Sequence, residues 1–503
     1  MKSSEPLLLG LDIGTQAVKG LVVNVAGESL GKVTLERGPH HPRPGWVEMD
    51  AERDWWGVAV QVIRRLLSEG AIETERIAVV GVSGLVPCLC PLDDRGHPLR
   101  PAILYSDNRA LEELAWVNER AGLSLSAEAV VPKLLWLERH EPDTFYRTQT
   151  FLSAHNYVVY RLTGRYTMDY DTANIVGGLF DPHRRSWREE LCHRLEIAPA
   201  LLPPLHPATD VVGWVTPEAA QITGLREGTP VITGTGDTFP TIVGCGAVEP
   251  GDAMLSFGTT GLLTVTRRPL VESVTGPHFE SGEGGAAVTW GANVLSAGRL
   301  VRWYAEHFAS AEMAVAKRTG GSVYDLLEAE ARGVPPGAEG LIALPHLLGR
   351  RTPTPDPTIR GALLGLTPSH GPAHVYRALL ESFAYNIRQG FEPLRPRIDR
   401  LVATAGGARS RLWRQIAADV LETPLEYPTG ASGALGIAFI AGYAVGLIEE
   451  FTQIKDVWLR RKETTTPDAA ASVIYRRLFP VYVEFEEALA VPFAHQAERA
   501  ERT

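Results

Sequence analysis

Cysteine is scarce, with four in 503 residues: Cys88, Cys90, Cys192 and Cys245. So few thiols in so long a chain make no disulfide framework and suit a reducing compartment, where they are expected to lie buried. The Cys88-Leu89-Cys90 spacing is wrong for a zinc knuckle, and no His/Cys pair elsewhere completes a tetrahedral site. Positive charge is in deficit as well, since 49 Lys and Arg against 59 Asp and Glu leave a formal net charge of −10. That balance excludes broad attraction to nucleic acid or to an acidic membrane, so an anionic ligand has to be held locally. No apolar run is long enough to cross a bilayer, and the polar start leading into Leu7–Leu11 shows no cleavage-site pattern. A cytoplasmic protein without membrane or nucleic-acid partners is expected. With 45% hydrophobic and 21% charged residues, the composition leaves no room for a long disordered tract.

A chain of this length exceeds what one hydrophobic core supports, so two domains with a cleft between them are expected. Leu7 to Leu11 reads as a buried strand, Gly14-Thr15 as a turn and Val18 to Val25 as a returning strand. The same plan recurs far downstream, where Ala253 to Phe257, Gly258-Thr259 and Leu262 to Val265 give strand, glycine turn and strand. The chain reads as internally duplicated, each hairpin opening one domain. Helical and strand patterns alternate between the copies, which predicts an α/β class. Asp50 is a predicted cap for a helix whose face carries Trp55, Val58, Val62 and Leu66, stopping at Gly70; Ile77 to Val82 follows as a buried strand. The junction is placed at Glu249-Pro250-Gly251, giving domains 1–248 and 249–503. A helical appendage is expected from about residue 447.

Four segments place chemistry beside glycine turns. Asp12-Ile13-Gly14-Thr15-Gln16-Ala17-Val18-Lys19 sets an acid at a strand end before a turn whose N–H groups can approach a phosphate. Asp12 suits Mg²⁺ held through water, and Thr15, Gln16 and Lys19 offer donors to phosphate oxygens. Ser256 to Gly261 repeats the turn with hydroxyls but no acid, and a second acid there would repel phosphates. Two such turns facing across a cleft can clamp one triphosphate. Thr404 to Ser410 leads from a strand through glycines into a helix, a place for a flat base or an anionic oxygen. Gly234-Thr235-Gly236-Asp237-Thr238 follows the strand at Val231-Ile232 and puts a carboxylate just ahead of the domain junction. Phosphoryl transfer asks for alignment, a metal and one carboxylate to take the hydroxyl proton, which Asp237 can be. Taken alone, a Gly-flanked Asp is more often a helix cap or turn residue.

Together these segments resemble the FGGY carbohydrate kinases of the actin-like ATPase superfamily, most nearly the xylulose kinase branch. The resemblance runs from about Leu7 to Leu447. It takes in Pro44 to Asp50, Leu162-Thr163-Gly164, and Pro345 to Pro353 with Arg360-Gly361-Ala362. It implies two actin-like (ribonuclease H-like) ATPase domains, an ATP-dependent activity with Mg²⁺, a small sugar or polyol substrate and a family-typical homodimer. By the same resemblance Asp12, Gly14, Thr15, Gln16, Lys19, Gly258 and Thr259 form the phosphate loops, while Gly406, Gly407, Ala408 and Arg411 lie in the adenosine motif. Gly298 and Arg302 fall where the nucleotide is touched. Asp237 becomes the catalytic base, with Thr238 beside it and a metal contact from Asp237 also open.

The substrate wall departs from the branch. Where xylulose kinases carry Ser-Gly-Gln-Met-His-Gly, this chain has Ser83-Gly84-Leu85-Val86-Pro87-Cys88, so polar partners for sugar hydroxyls are lost at Leu85 and Val86, next to Gly84. The usual Trp-x-Asp-x-Arg is Tyr105-Ser106-Asp107-Asn108-Arg109. Asp107 and Arg109 stay as expected substrate residues, with an ordinary surface ion pair as the competing account. A ketopentose such as xylulose is the expected acceptor. Kinases for erythritol, glycerol, ribulose or another ketose are the alternatives, and an actin-like ATPase switch without a sugar substrate is a further one.

Overall fold

A computed structural model describes residues 5–275, 287–459 and 461–500. The chain divides into two compact units that are discontinuous in sequence. The first takes Met1–Val248, Arg268–Ala287 and Gly430–Arg460, and the second takes Glu249–Arg267, Val288–Thr429 and Arg461–Thr503.

In the first unit, β1 (Leu7–Ile13), β2 (Ala17–Asn24), β3 (Ser29–Glu36), β4 (Ile77–Gly84), β5 (Val211–Trp214), β6 (Pro230–Ile232) and the short β7 (Thr235–Gly236) make one sheet. Its order is β5-β6-β4-β1-β2-β3, with β7 also on β4. Every residue of β1 is buried, as a central strand covered on both faces requires. It runs antiparallel to β2, with Asp12 opposite Lys19, and parallel to β4, with Asp12 opposite Ser83. The expected first helix is present but begins as a π-helical stretch, Ala51–Gly57, before α1 (Val58–Glu69). Asp50 caps it, its carboxylate accepting from the Arg53 N–H at 2.8 Å. Further helices are α2 (Ala154–Thr163), α3 (Tyr170–Ile175) and α4 (Thr238–Gly244).

The second unit repeats the plan. Its strands are β8 (Asp252–Phe257), β9 (Gly261–Thr266), β10 (Val288–Val294), β11 (Arg400–Thr404), β12 (Leu425–Pro428) and β13 (Lys462–Thr465). They run in the order β10-β9-β8-β11-β12-β13. In both sheets a three-stranded antiparallel meander is followed by two parallel strands and an antiparallel closing strand. Helices α5 (Gly298–Phe308), α6 (Pro372–Phe391) and α7 (Arg411–Leu421) cover this sheet. Phe257, Phe383 and Trp413 form an aromatic cluster with ring centroids 5.0–5.2 Å apart.

Two returns of the chain were not expected. Helix α8 (Gly433–Ala444) is apolar on every side, with all residues from Gly433 to Gly442 buried, and it packs on β1, β4 and α4 of the first unit. A helix without a polar face has to be covered all round, which is why residues 430–460 leave the second unit. The segment after residue 447 is not purely helical either: β13 closes the second sheet before the long α9 (Ala469–Ala500). That helix is fixed by Glu486, whose buried carboxylate meets His346 at 2.6 Å and Arg350 at 3.2 Å. No helix among the described residues is long and apolar enough to cross a membrane.

Candidate active site

Because β1 and β4 lie side by side and end together, their C-terminal residues share one end of the first sheet. Asp12 is buried there, 3.4 Å from the Lys19 ammonium across the hairpin and 3.3 Å from the Ser83 hydroxyl. The turn is closed by the Gly14 N–H donating to the Ala17 carbonyl at 3.0 Å. Arg37 braces it, donating to the Gly14 carbonyl at 2.8 Å, and burial lowers this guanidinium to about 10. Thr15 is half-buried and reaches the Tyr105 hydroxyl, while Gln16 is exposed. Helix α8 starts against Asp12: Ser432 caps it by accepting from the Leu435 N–H at 3.2 Å, and a Cβ on Gly433 would stand 3.1 Å from Asp12 Oδ2. A carboxylate at a helix N-terminus is favoured by the helix dipole.

Asp237 follows β7 and opens α4, its N–H donating to the Gly84 carbonyl at 2.9 Å. It sits at the cap position, yet its carboxylate makes no capping hydrogen bond. Its side-chain partner is the Thr238 hydroxyl at 3.4 Å. Burial first, and the nearby Asp12 charge second, raise its pKa to about 7. A carboxyl group near neutrality, not engaged in helix capping, is what a general base needs.

Behind Asp237 lies a polar network that sequence reasoning missed. Asp169 caps α3, accepting from the Thr172 N–H at 3.1 Å, and also meets His155 Nε2 at 2.8 Å and the Thr235 hydroxyl at 2.9 Å. These bonds outweigh burial and hold its pKa below the ordinary value. Asp171, two residues on, goes the other way: burial, then the charges of Asp169 and Asp237, push it well up. The signal was the run Asp169-Tyr170-Asp171-Thr172, an N-cap pattern with a surplus acid.

On the opposite wall Leu85 is buried and its N–H donates to the Ile13 carbonyl at 3.0 Å, while Val86 is half-buried. A Cβ on Gly236 would meet Val86 Cγ2 at 2.4 Å. Lys133 is buried nearby, donating to the carbonyls of Glu128 at 3.0 Å and Tyr105 at 3.3 Å, and desolvation lowers it to about 8. Asp107 and Arg109 are no surface pair. The Asp107 carboxylate takes the Val47 N–H at 2.5 Å and the Arg109 Nη2 at 2.8 Å. The guanidinium also pairs with Glu48 at 2.7 Å and lies 3.7 Å over the Trp46 ring. This is a buried ion-pair and cation–π cluster, with Arg109 Nη1 left without a hydrogen-bond partner among the described residues.

In the second unit the Gly258-Thr259 turn is tied to the start of α5: the Gly298 N–H donates to the Gly258 carbonyl at 2.8 Å, and that of Ala297 to Thr259 at 3.1 Å. A Cβ on Gly298 would lie 2.7 Å from the Gly258 carbonyl oxygen, so this glycine permits helix and turn to touch. Arg302 is exposed on α5. The expected strand, glycine turn and helix appear as β11, a 3-10 turn over Gly406–Arg409, and α7. Gly406 faces open space, whereas a Cβ on Gly407 would strike the Trp413 ring at 2.5 Å and Ala408 is fully buried. Gly406 is thus the open position, and Gly407 and Ala408 serve packing. Arg411 is exposed, 3.5 Å from Glu463.

No group of three or more His, Cys, Asp or Glu side chains able to enclose a metal ion occurs among the described residues. Asp12 and Asp237, close enough for one charge to raise the other's pKa, fit Mg²⁺, which keeps several waters and takes only one or two carboxylates.

Twin sheets of actin-like type, each with a glycine-turned hairpin, and a buried carboxyl group at the end of one of them fit a two-domain phosphotransferase. The model of the FGGY family of carbohydrate kinases, N-terminal domain, matches residues 7–244, and that of its C-terminal domain matches residues 253–445. The chain belongs to the FGGY family of carbohydrate kinases. It is similar to the xylulose kinase of Bacillus subtilis (strain 168), 30% identical over 494 residues that cover 94% of this chain and 95% of that one. The gluconokinase of the same strain is 28% identical over 515 residues, covering 98% of each. The crystal structure of xylulose kinase from Rhodospirillum rubrum superimposes with a TM-score of 0.81 at 31% identity, covering 97% of this chain and all 100% of that one.

Proposed function

We propose that the chain transfers the γ-phosphoryl group of ATP to a terminal hydroxyl of a ketopentose such as xylulose, with Asp237 as the general base. The observation that carries this reading is the state of Asp237: a carboxyl group at the mouth of β7 and α4, free of capping duty, with a pKa of about 7. Asp237 takes the proton of the attacking hydroxyl, and Thr238 orients its carboxylate. Asp12 would hold Mg²⁺, which when bound would neutralise phosphate charge. In the first unit Thr15, Gln16 and Lys19 are the hairpin's donors to phosphate oxygens; in the second, the Gly258-Thr259 turn offers donors of the same kind. Gly406 leaves room for the nucleoside, with Arg302 and Arg411 exposed at their helices to meet it.

A second reading is a kinase of another ketose, polyol or sugar acid, favoured by the apolar Leu85-Val86 wall and by gluconokinases among the relatives. An ATP-coupled assay over ketopentoses, ketohexoses, polyols and gluconate decides between them. Asp237→Asn is expected to lower sugar-dependent kcat by about 10²–10⁴-fold. Turnover that survives this change would remove Asp237 from its role.

A further inference from the structure

Arg37 carries a desolvated cation with no carboxylate of its own. It follows β3 and lies beside the tip of the first hairpin, its N–H donating to the Gln16 carbonyl at 2.9 Å. The guanidinium makes no ion pair among the described residues: Nη2 donates to the Gly14 carbonyl at 2.8 Å, Nη1 lies 3.1 Å from the Met49 sulfur, and the buried Nε has no partner. The acids whose charge reaches it through space are committed elsewhere, Asp54 to Arg53 at 2.8 Å and Asp12 to Lys19 at 3.4 Å. By contrast Arg100 and Arg109, whose side chains are also largely buried in this unit, both pair with Glu48.

We infer that Arg37 is a positioning residue for the ATP phosphates, fixing the Gly14-Thr15 peptide of the first hairpin and leaving its own charge to be balanced by the bound nucleotide. This rests on the kinase reading above and adds a residue to its nucleotide site. A desolvated charge without a counter-charge is costly, and an anionic ligand at the turn relieves that cost. In a trans peptide the carbonyl and the following N–H point in opposite directions, so holding the Gly14 carbonyl towards Arg37 turns the Thr15 N–H away from it. That N–H has no backbone partner among the described residues, which leaves it for a phosphate oxygen. Lys19, the other cation of the hairpin, already shares its charge with Asp12. A chain of net charge −10 supplies no general attraction for a triphosphate, so a second local cation matters.

The test reads nucleotide binding and turnover separately in the full chain, comparing wild type with Arg37→Gln and Arg37→Lys after thermal melting has shown that both variants fold. Calorimetry in the presence of Mg²⁺ measures binding of a non-hydrolysable ATP analogue and of AMP, and an ATP-coupled assay on the preferred acceptor measures both KM values. Arg37→Gln is expected to raise KM for ATP and Kd for the analogue by about tenfold or more, while Kd for AMP and KM for the acceptor stay within about twofold. Arg37→Lys, which keeps the charge, is expected to lose less than Arg37→Gln. A folded Arg37→Gln chain that binds the analogue as wild type does overturns the inference. So does an equal loss for AMP and the analogue, or an Arg37→Lys chain no better than Arg37→Gln. A wild type that binds the analogue but phosphorylates no acceptor overturns the kinase reading instead, and the calorimetry still decides the role of Arg37.

Discussion

At the scale of single residues, the chemistry turns on like charges held near one another. An Asp raised to about 7 in the folded chain and ordinary when unfolded binds more protons folded than unfolded between about pH 4 and 7. Stability therefore falls as pH rises through that window, and ionised Asp237 is a standing burden at neutral pH. Asp237→Asn removes it, so without added metal the variant is expected to melt above wild type at pH 8, with the gap closing towards pH 5. Function runs the opposite way: kcat/KM for the sugar is expected to drop tenfold per pH unit below about 7, as the base is protonated. A flat profile between pH 5 and 7 would contradict a base of this pKa. Sequence reading reached Asp12 and Asp237 because glycines flank them at strand ends. It did not reach Asp169, Asp171 or His155, whose partners come from separate elements and meet only after folding.

At the scale of elements, α8 and α4 touch backbone to backbone. A Cβ on Gly436 would stand 1.8 Å from the Pro240 carbonyl oxygen and 2.7 Å from the Gly244 nitrogen, neither of which can rotate away. Gly436→Ala is expected to lower unfolding stability by about 1–3 kcal/mol, read from urea denaturation. Because α4 begins at Asp237, the same change should displace the base and reduce kcat by up to about a hundredfold. A stable variant with full kcat would show that α8 does not position α4. The glycines of the second unit divide in the same manner: Gly298 and Gly407 are small because protein crowds them, while Gly406 faces open space. From the sequence all three read alike as nucleotide contacts, since a glycine records the need for room and not what fills it.

At the scale of the whole molecule, the first unit is completed by residues that lie almost two hundred positions downstream of its main segment. A fragment of residues 1–248 lacks α8 and exposes the faces of β1 and β4 that it covers. It is expected to aggregate or bind an apolar dye on expression, and fusing residues 430–459 to its end is expected to restore a cooperative melt. A monomeric, cooperatively folding 1–248 fragment would refute that dependence. The sequence by itself determined the α/β class, the duplicated hairpins, the glycine-flanked acids Asp12 and Asp237 as candidates and the family, because these rest on local patterns of apolar strands, glycine turns and carboxylates. Only the tertiary structure decided that Asp237 makes no capping bond, that Asp107 and Arg109 are locked in a buried cluster, that residues 430–460 belong to the first unit and that Val86 fills the space a side chain at Gly236 would take. Each of these depends on which distant side chains meet, and burial and charge act through space between residues the chain order keeps apart.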